Sequence, residues 1–269
     1  ETLSISANIF VGQTEAPILI RPYIKNMTTS ELMAIMTGGF ATVAGSVLAL
    51  YVLWLEKIPG IAGHMLAASI MSAPASLVIA KLIYPETEKT NSLDELDLHI
   101  EKNTANAMDA LGNGATQGLK LAANIGAMLI AFISILSMIN FTLEYFLDIN
   151  LQEILGIIFS PLAWTMGIPW EEANIVGRLM GEKIVLTELI AYGSLGDLIN
   201  NDLISERSAI ISSYALCGFA NFGSIGIQLG GIGAMAPEKR NVLSKIVLKA
   251  MIGGALASWL TATIAGILI

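Results

Sequence analysis

Two glutamates lie in polar segments that interrupt long apolar stretches of this sequence. Glu15 ends the run Gly-Gln-Thr-Glu at residues 12–15, and Glu188 follows Leu-Thr at residues 186–187. An ionised carboxylate only accepts hydrogen bonds, so the two side chains suit a neutral solute rich in hydroxyl and N–H donors. The structural alternative is a bond from each glutamate to a helix N-terminus, or to Arg178 or Lys183.

The composition predicts that these segments lie in a membrane. Hydrophobic residues make up 54% of the chain and charged residues 13%, with a mean hydropathy of +0.69, whereas a soluble domain carries about 25% charged residues. Apolar segments long enough to span a bilayer recur at 27–55, 58–80, 121–143 and 250–269, since about 20 residues suffice. A charge at mid-bilayer costs roughly 2.5–3.5 kcal/mol, so both glutamates are functional candidates by default. The net charge of −8 excludes a nucleic-acid partner.

The polar segments predict two re-entrant hairpins, each made of two half-helices that meet at a polar tip. Residues 1–20 contain the first, because the glycine and proline at 12 and 17 are about 1 and 3 kcal/mol worse than alanine inside a helix. Residues 173–200 form the second, because Arg178, Glu182, Lys183 and Glu188 make them too polar for a lipid-facing span. Gly193 and Gly196 are expected to break this hairpin further.

Two more helices are expected to be broken. One runs from a Thr28–Glu31 capping box to about residue 55, with interruptions at Gly38-Gly39 and at 41–46. The other covers 206–236 and is interrupted at 219–224. Between the halves the sequence predicts an amphipathic surface helix at 86–107, a span from 119 to about 146 and an interfacial helix at 151–169.

The order of these elements repeats. Residues 1–83 form a first repeat of hairpin, broken helix and intact helix, residues 84–172 form a middle segment with one scaffold transmembrane helix, and residues 173–269 form a second repeat. The distribution of Lys and Arg makes the two hairpins enter from opposite faces. The predicted fold is therefore an all-α polytopic membrane protein with inverted repeats, two re-entrant hairpins and broken transmembrane helices, an arrangement typical of secondary transporters.

Three function classes fit these residues to different degrees. A transporter of a neutral polar solute ranks first, and a hairpin transporter of another small solute or a dicarboxylate ranks second, because the hairpin tips are acidic where an anion would need cations. An intramembrane enzyme ranks third. The sequence contains neither Gly-x-Ser-x-Gly nor His-Glu-x-x-His, and it lacks a nucleophile with a base in reach.

The motifs also resemble those of the concentrative nucleoside transporter family over nearly the whole chain. The resemblance lies in the segments 12–15, 36–46, 67–74, 113–121, 186–192 and 217–233. It implies ion-driven import of nucleosides across the cell membrane (the inner membrane, if the source is bacterial) by a homotrimer surrounded by lipid. The chain starts at Glu1 and enters the first hairpin at once, so we expect it to be the C-terminal two-thirds of a family member.

The resemblance also implies roles for individual residues. The nucleobase would be bound by Gln13, Thr14 and Glu15, with apolar contacts from Val47 and Phe219. The ribose would be bound by Glu188, Asn221 and Ser224.

A sodium site is implied at Asn8, the Val11 carbonyl, Thr42, the Val43 carbonyl and Ser46. Neutral oxygen ligands suit a hard cation, and sodium is favoured for that reason. Two alternatives remain open: Thr42 and Ser46 bond back to their own helix, or a proton is the coupling ion and Glu15 carries it.

Overall fold

The computed structural model describes residues 1–88 and 106–269, and within these ranges the regular structure is entirely helical. The helices are α1 (Thr2–Ala7), α2 (Glu15–Leu19), α3 (Arg21–Ile24), α4 (Thr29–Ala41), α5 (Gly45–Trp54), α6 (Ile61–Ile83), α7 (Ala107–Leu147), α8 (Leu151–Thr165), α9 (Trp170–Val185), α10 (Glu188–Asn200), α11 (Glu206–Leu216), α12 (Phe222–Met235) and α13 (Arg240–Leu268). A 3₁₀ turn at Pro237–Lys239 precedes α13. Most of the amphipathic helix predicted at 86–107 lies outside the described residues.

Three segments of the described chain are long and apolar enough to cross a membrane: Thr29–Trp54, Ile61–Ile83 and Pro237–Leu268. A fourth candidate is the pair Ile133–Leu147 and Leu151–Thr165, which bends by 88° at residues 148–150. The first span contains the break between α4 and α5, which confirms a broken helix there. The long helix α7 begins at Ala107, earlier than the predicted position 119.

The first hairpin consists of α1 and α2, which are joined by a turn at residues 8–14. Its two arms are short, at 6 and 5 residues, because Gly12 and Pro17 prevent one continuous helix. The capping box that starts α4 forms as predicted: Thr28 accepts from the Glu31 N–H, and the Glu31 carboxylate accepts from the Thr28 N–H.

The second half repeats this order with longer arms. Helices α9 and α10 form the second hairpin, which turns at Leu186 and Thr187. The broken helix is α11 and α12, and residues 217–221 separate its two parts. Gly218 has φ +100°, and a Cβ there would lie 2.5 Å from the Phe40 carbonyl oxygen, so this position requires glycine.

Two predicted breaks are wrong. Gly38 and Gly39 lie inside α4, and Gly193 and Gly196 lie inside α10. Most of these glycines allow close packing instead: a Cβ at Gly38 would lie 2.7 Å from Ile5, one at Gly39 would lie 2.6 Å from Gln228, and one at Gly196 would lie 3.1 Å from the Trp54 carbonyl oxygen. The chain is interrupted where residues 42–44 become extended.

Helix α13 lies at the centre of the packing, where it contacts α4, α6 and α11. Gly254 on this helix lies directly against Phe40 of α4. Helix α8 packs along α9, and Gly181 on α9 leaves room for the Gln152 backbone. Residues 151–165 therefore pack against the second hairpin, whereas the predicted division of the chain places them in the middle segment; that division stays a prediction.

Candidate functional site

Five polar side chains from four elements form one continuous chain of hydrogen bonds, which we call the central network. It begins at the first hairpin, where Gln13 Nε2 donates to Ser224 Oγ over 3.1 Å. The Ser224 N–H donates to Asn221 Oδ1 over 2.7 Å, and Asn221 Nδ2 donates to Glu188 Oε2 over 2.9 Å. The Tyr51 hydroxyl completes it by donating to Glu188 Oε1 over 3.1 Å. The two hairpin turns thus meet through the break of the second broken helix.

Helix ends position two of these residues. Asn221 is the N-cap of α12, so its bond to the Ser224 N–H satisfies a backbone group that the helix start leaves free. Glu188 is the first residue of α10 and follows the N-cap Thr187. The positive end of the α10 dipole therefore lies at this carboxylate and stabilises its charge. Asn221 and Ser224, three residues apart, thus form a capping pair at the start of α12.

Sequence reasoning missed two residues of the site. Tyr51 lies four residues after Val47 on α5, and Gln228 lies four residues after Ser224 on α12, so each shares a helix face with a predicted residue. Gln228 Nε2 donates to Gln13 Oε1 over 3.2 Å and to the Met36 carbonyl over 3.0 Å. A search for polar residues at this spacing would have found both.

The other predicted substrate residues lie around the network. Thr14 is buried and donates from its hydroxyl to Glu15 Oε2 over 2.9 Å, and the Glu15 side chain is exposed. Val47 and Phe219 are half-buried and pack against the apolar core. The structure therefore brings together Gln13, Glu188, Asn221 and Ser224, and the substrate roles of all eight residues stay predictions.

The cationic side chains of the second hairpin are bound away from Glu188. Arg178 lies 3.9 Å from Glu153 and 3.7 Å from Glu182. Lys183 donates to the carbonyls of Ala215 and Cys217 and to a serine hydroxyl. Glu188 instead accepts from two neutral donors. This arrangement does not favour the alternative of a dicarboxylate substrate, which would need a cation at the site.

The predicted sodium ligands gather where the first hairpin meets its broken helix. The Gly45 N–H donates to the Phe10 carbonyl over 3.1 Å, which fixes the hairpin turn against the break. In the amide orientation that gives both of its polar atoms a partner, Asn8 donates to the Gly12 carbonyl over 3.0 Å and accepts from the Gly39 N–H over 3.2 Å. Asn8, Thr42 and Val43 are buried, whereas the side chains of Val11 and Ser46 are exposed.

The chemistry of this group fits a hard monovalent cation. Residues 42–44 are extended, so their carbonyls leave the helical hydrogen-bond pattern. Thr42 donates its hydroxyl hydrogen to the Gly38 carbonyl over 3.0 Å; this is the predicted back-bond, and it leaves the oxygen lone pairs available. The described residues contain no cluster of three His, Cys, Asp or Glu side chains that would suit a transition metal. The neutral oxygens fit sodium.

Two cavities of the second hairpin lie outside the central network. One, of about 280 Å³, is lined by Trp54, Gly193, Gly196 and Asp197 among others. The other, of about 350 Å³, lies between α9 and α10 and is lined by polar residues including Arg178. The network residues themselves are bonded directly to one another, so the site is closed in this conformation.

Comparison with known protein families identifies the chain. Residues 64–266 match a model described as the C-terminal part of Na⁺-dependent nucleoside transporters, and residues 1–57 match a model described as a nucleoside recognition gate. The chain belongs to the sodium-dependent nucleoside transporter family. This confirms the predicted family, and because the family consists of membrane transporters it also confirms a multi-pass membrane protein that is not an enzyme.

Members of this family resemble the chain over its whole length. An uncharacterized transporter of Bacillus subtilis, YutK, is 45% identical, and the chain covers 67% of it. The nucleoside permease NupC of Helicobacter pylori is 43% identical with 65% covered, and mouse sodium/nucleoside cotransporter 1 is 43% identical with 44% covered. In each case the similarity spans 100% of this chain. The chain thus spans about two thirds of its bacterial relatives and under half of the mammalian one.

Solved structures of the family share the fold. CNTnw in an inward-facing, substrate-bound state is 45% identical with a TM-score of 0.80, covering 98% of this chain and 63% of that one. An outward-facing CNTnw variant gives 44% identity and a TM-score of 0.78, covering 98% and 64%. These similarities confirm the predicted fold class.

Proposed function

We propose that the whole protein imports nucleosides by sodium-coupled secondary active transport, and that this chain supplies the substrate and ion sites. The observation that carries the proposal is the central network, in which Gln13, Ser224, Asn221 and Glu188 connect both hairpin turns to a helix break. Family membership and the names of the relatives, which include a nucleoside permease and sodium/nucleoside cotransporters, support the substrate and the ion.

The ribose would bind at Glu188, Asn221 and Ser224, because a carboxylate, an amide and a hydroxyl can pair with two vicinal hydroxyls. The base would bind at Gln13, Thr14 and Glu15, with Val47 and Phe219 against its faces. Since the network residues bond to one another, a nucleoside that enters would replace hydrogen bonds within the protein by hydrogen bonds between the protein and the nucleoside. Such an exchange favours a donor-rich solute, because an apolar one would leave buried polar groups unpaired.

Sodium would act on the first hairpin through the oxygens of Asn8, Val11, Thr42, Val43 and Ser46. A cation between the hairpin turn and the extended residues 42–44 would hold Gln13 in place for the nucleobase. Binding of the ion and binding of the nucleoside would then favour each other, because each needs the same position of the turn.

The assembly and the repeats belong to the same proposal. Two inverted repeats at 1–83 and 173–269 would form the moving transport domain, and α7 in the segment 84–172 would belong to the scaffold. The protein would be a homotrimer in the cell membrane, the inner membrane in a bacterium, with lipid around the scaffold. Alternating access is supported by the inward-facing and outward-facing states of the CNTnw relatives.

The test of substrate and ion is uridine and adenosine uptake by the whole protein in liposomes, with and without a sodium gradient. We expect uptake to require the gradient, and uridine to bind more tightly in sodium than in choline buffer at fixed pH. Asn8→Ala and Ser46→Ala should reduce this difference. Equal affinity in both buffers, unchanged in both variants, would exclude the sodium site.

The ribose assignment has a separate test. We expect Glu188→Ala to abolish uptake, and we expect 2′,3′-dideoxy nucleosides to bind poorly to the unmutated protein, because a buried carboxylate without its donors costs about 1–3 kcal/mol or more. Calorimetry measures the affinity of the unmutated protein for a nucleoside and for its 2′,3′-dideoxy analogue. Full-strength binding of the dideoxy compound would contradict the assignment.

A further inference from the structure

Lys183 is a fully buried lysine in the last turn of α9, and the proposed transport mechanism gives it no role. Its Nζ donates to the Ala215 carbonyl over 3.0 Å, to the Cys217 carbonyl over 2.9 Å and to Ser258 Oγ over 2.9 Å. These oxygens belong to the end of α11, to the break that follows it and to α13. The lysine thus joins the first arm of the second hairpin to the broken helix and to the central helix.

The geometry requires the charged form of this amine. An ammonium group has three N–H donors, and here each of them has its own acceptor. A neutral amine would direct its lone pair at one of the three oxygens, which would repel it. The two carbonyls are available because α11 ends at Leu216 and Gly218 turns the chain away, so they have lost their helical partners.

The first half of the molecule has the same junction without a lysine. Asn8 ends the first arm of the first hairpin, and it bonds to α4 within three residues of the end of that helix. The extended residues that follow α4 carry the carbonyls assigned above to sodium. Each half therefore has a hairpin arm that ends beside the break of its broken helix, and among the described residues a lysine binds the freed carbonyls only in the second half.

We propose that the Lys183 ammonium is a tethered cation that does in the second half what sodium does in the first. It holds the end of the hairpin arm against the broken helix in all states, so the second half needs no free ion. The first junction has Asn8 in place of a lysine, and a bound ion would supply the positive charge there. This inference rests on the proposed function for its sodium half, whereas the tethered cation rests on the contacts of Lys183 alone.

The test is chemical rescue of Lys183→Ala in the whole protein, with propylammonium as the probe, since it replaces the atoms removed beyond Cβ. We expect the variant to melt about 5 °C or more below the unmutated protein, and propylammonium to restore most of that loss. Neutral 1-propanol at equal concentration should restore none of it, because it supplies one donor and no charge to three acceptors. Rescue by the alcohol to the same extent would overturn the proposal.

Two variants serve as controls. Lys183→Met replaces the aliphatic part of the lysine side chain without its ammonium group and fills most of the space, so we expect a lower melting temperature that propylammonium does not restore. Lys239→Ala removes a lysine that donates to the Met27 carbonyl at the periphery, over 2.8 Å, and should show neither effect. A Lys183→Met protein that melts at the same temperature as the unmutated protein would refute the tethered cation. This test applies even if Lys183→Ala yields no folded protein.

The readout separates this inference from the transport proposal. Melting temperatures require no uptake, so an unmutated protein that fails to transport nucleosides would refute the proposed function and leave the rescue result valid. Conversely, sodium-driven uridine uptake by the unmutated protein, combined with a Lys183→Ala variant that propylammonium does not stabilise, would refute the tethered cation alone.

Discussion

Replacement of Tyr51 by phenylalanine tests the central network at the one of its five residues that the sequence analysis did not predict. The Tyr51 hydroxyl is one of two donors to Glu188, whose side chain is buried with 5% of its surface exposed. A hydrogen bond to a charged group contributes about 1.5–3 kcal/mol, and for a protein of this size each kcal/mol changes the melting temperature by roughly 2–4 °C. We therefore expect Tyr51→Phe to lower the melting temperature of the nucleoside-free protein by roughly 3–12 °C.

The ligand response makes this prediction specific. In Tyr51→Phe a ribose hydroxyl can donate to the oxygen that lost its partner, so uridine should raise the melting temperature of the variant by more than it raises that of the unmutated protein. A 2′,3′-dideoxy analogue has no such hydroxyl and should not do so. The measurement is melting by intrinsic fluorescence at saturating ligand in sodium buffer. Equal uridine shifts in the two proteins would refute a ribose site next to Tyr51.

Tyr192→Phe is the matched control. Tyr192 stacks on Tyr51 with ring centroids 4.0 Å apart, and its hydroxyl donates to the Ser213 carbonyl over 2.6 Å, away from Glu188. The variant loses one buried hydrogen bond from the same aromatic pair. Its melting temperature should fall, and its uridine shift should equal that of the unmutated protein.

Three further predictions concern the framework of the site. Gly218→Ala should lower the melting temperature by several degrees, because a left-handed backbone costs roughly 1–2 kcal/mol for a residue with a Cβ and that Cβ would meet the Phe40 carbonyl. The control Gly63→Ala has open space at its Cβ and should be neutral or stabilising. Equal melting temperatures of the two variants would contradict the requirement for glycine at position 218. Gln228→Leu leaves Gln13 Oε1 without this donor and removes the bond to the Met36 carbonyl. It should reduce both stability, by about 1–3 kcal/mol, and uridine affinity in calorimetry; wild-type affinity would exclude Gln228 from the site. Thr187→Ala should destabilise the protein by about 1 kcal/mol through loss of the α10 N-cap, and denaturant unfolding with no change would refute that role.

The sequence was sufficient to predict helix starts, turns and breaks where neighbouring residues determine the backbone conformation. The Thr28–Glu31 capping box, the hairpin turn before Glu188 and the breaks before Gly45 and Phe222 all follow from residues that disfavour a continuous helix or satisfy its ends. The proximity of Gln13, Asn221 and Glu188 was also predictable, because polar groups in a membrane must lie against protein or water. Repetition of the same order of elements indicated which polar segments belong together.

The sequence was insufficient where a residue type has two structural uses. Gly38 and Gly196 were expected to break helices, yet each lies inside one and makes room for Ile5 or the Trp54 backbone. A single glycine costs about 1 kcal/mol in a helix, which packing against a close neighbour readily offsets. Only the position of the neighbouring element distinguishes a break from a packing contact, and that position is a tertiary property.

The two hairpins differ in how firmly the structure holds them, and this difference gives the ion its role. The second hairpin is held to its surroundings by Lys183 and by Glu188, which together make five hydrogen bonds to other elements through their side chains. At the first hairpin, Asn8 and Gln13 bond through neutral amides, and Glu15 lies exposed. Charge-assisted bonds are about twice as strong as neutral ones, so the first hairpin is the one whose position a bound cation can change most. Its tip carries Gln13, and for that reason we expect an ion bound at Asn8 to control the proposed substrate site.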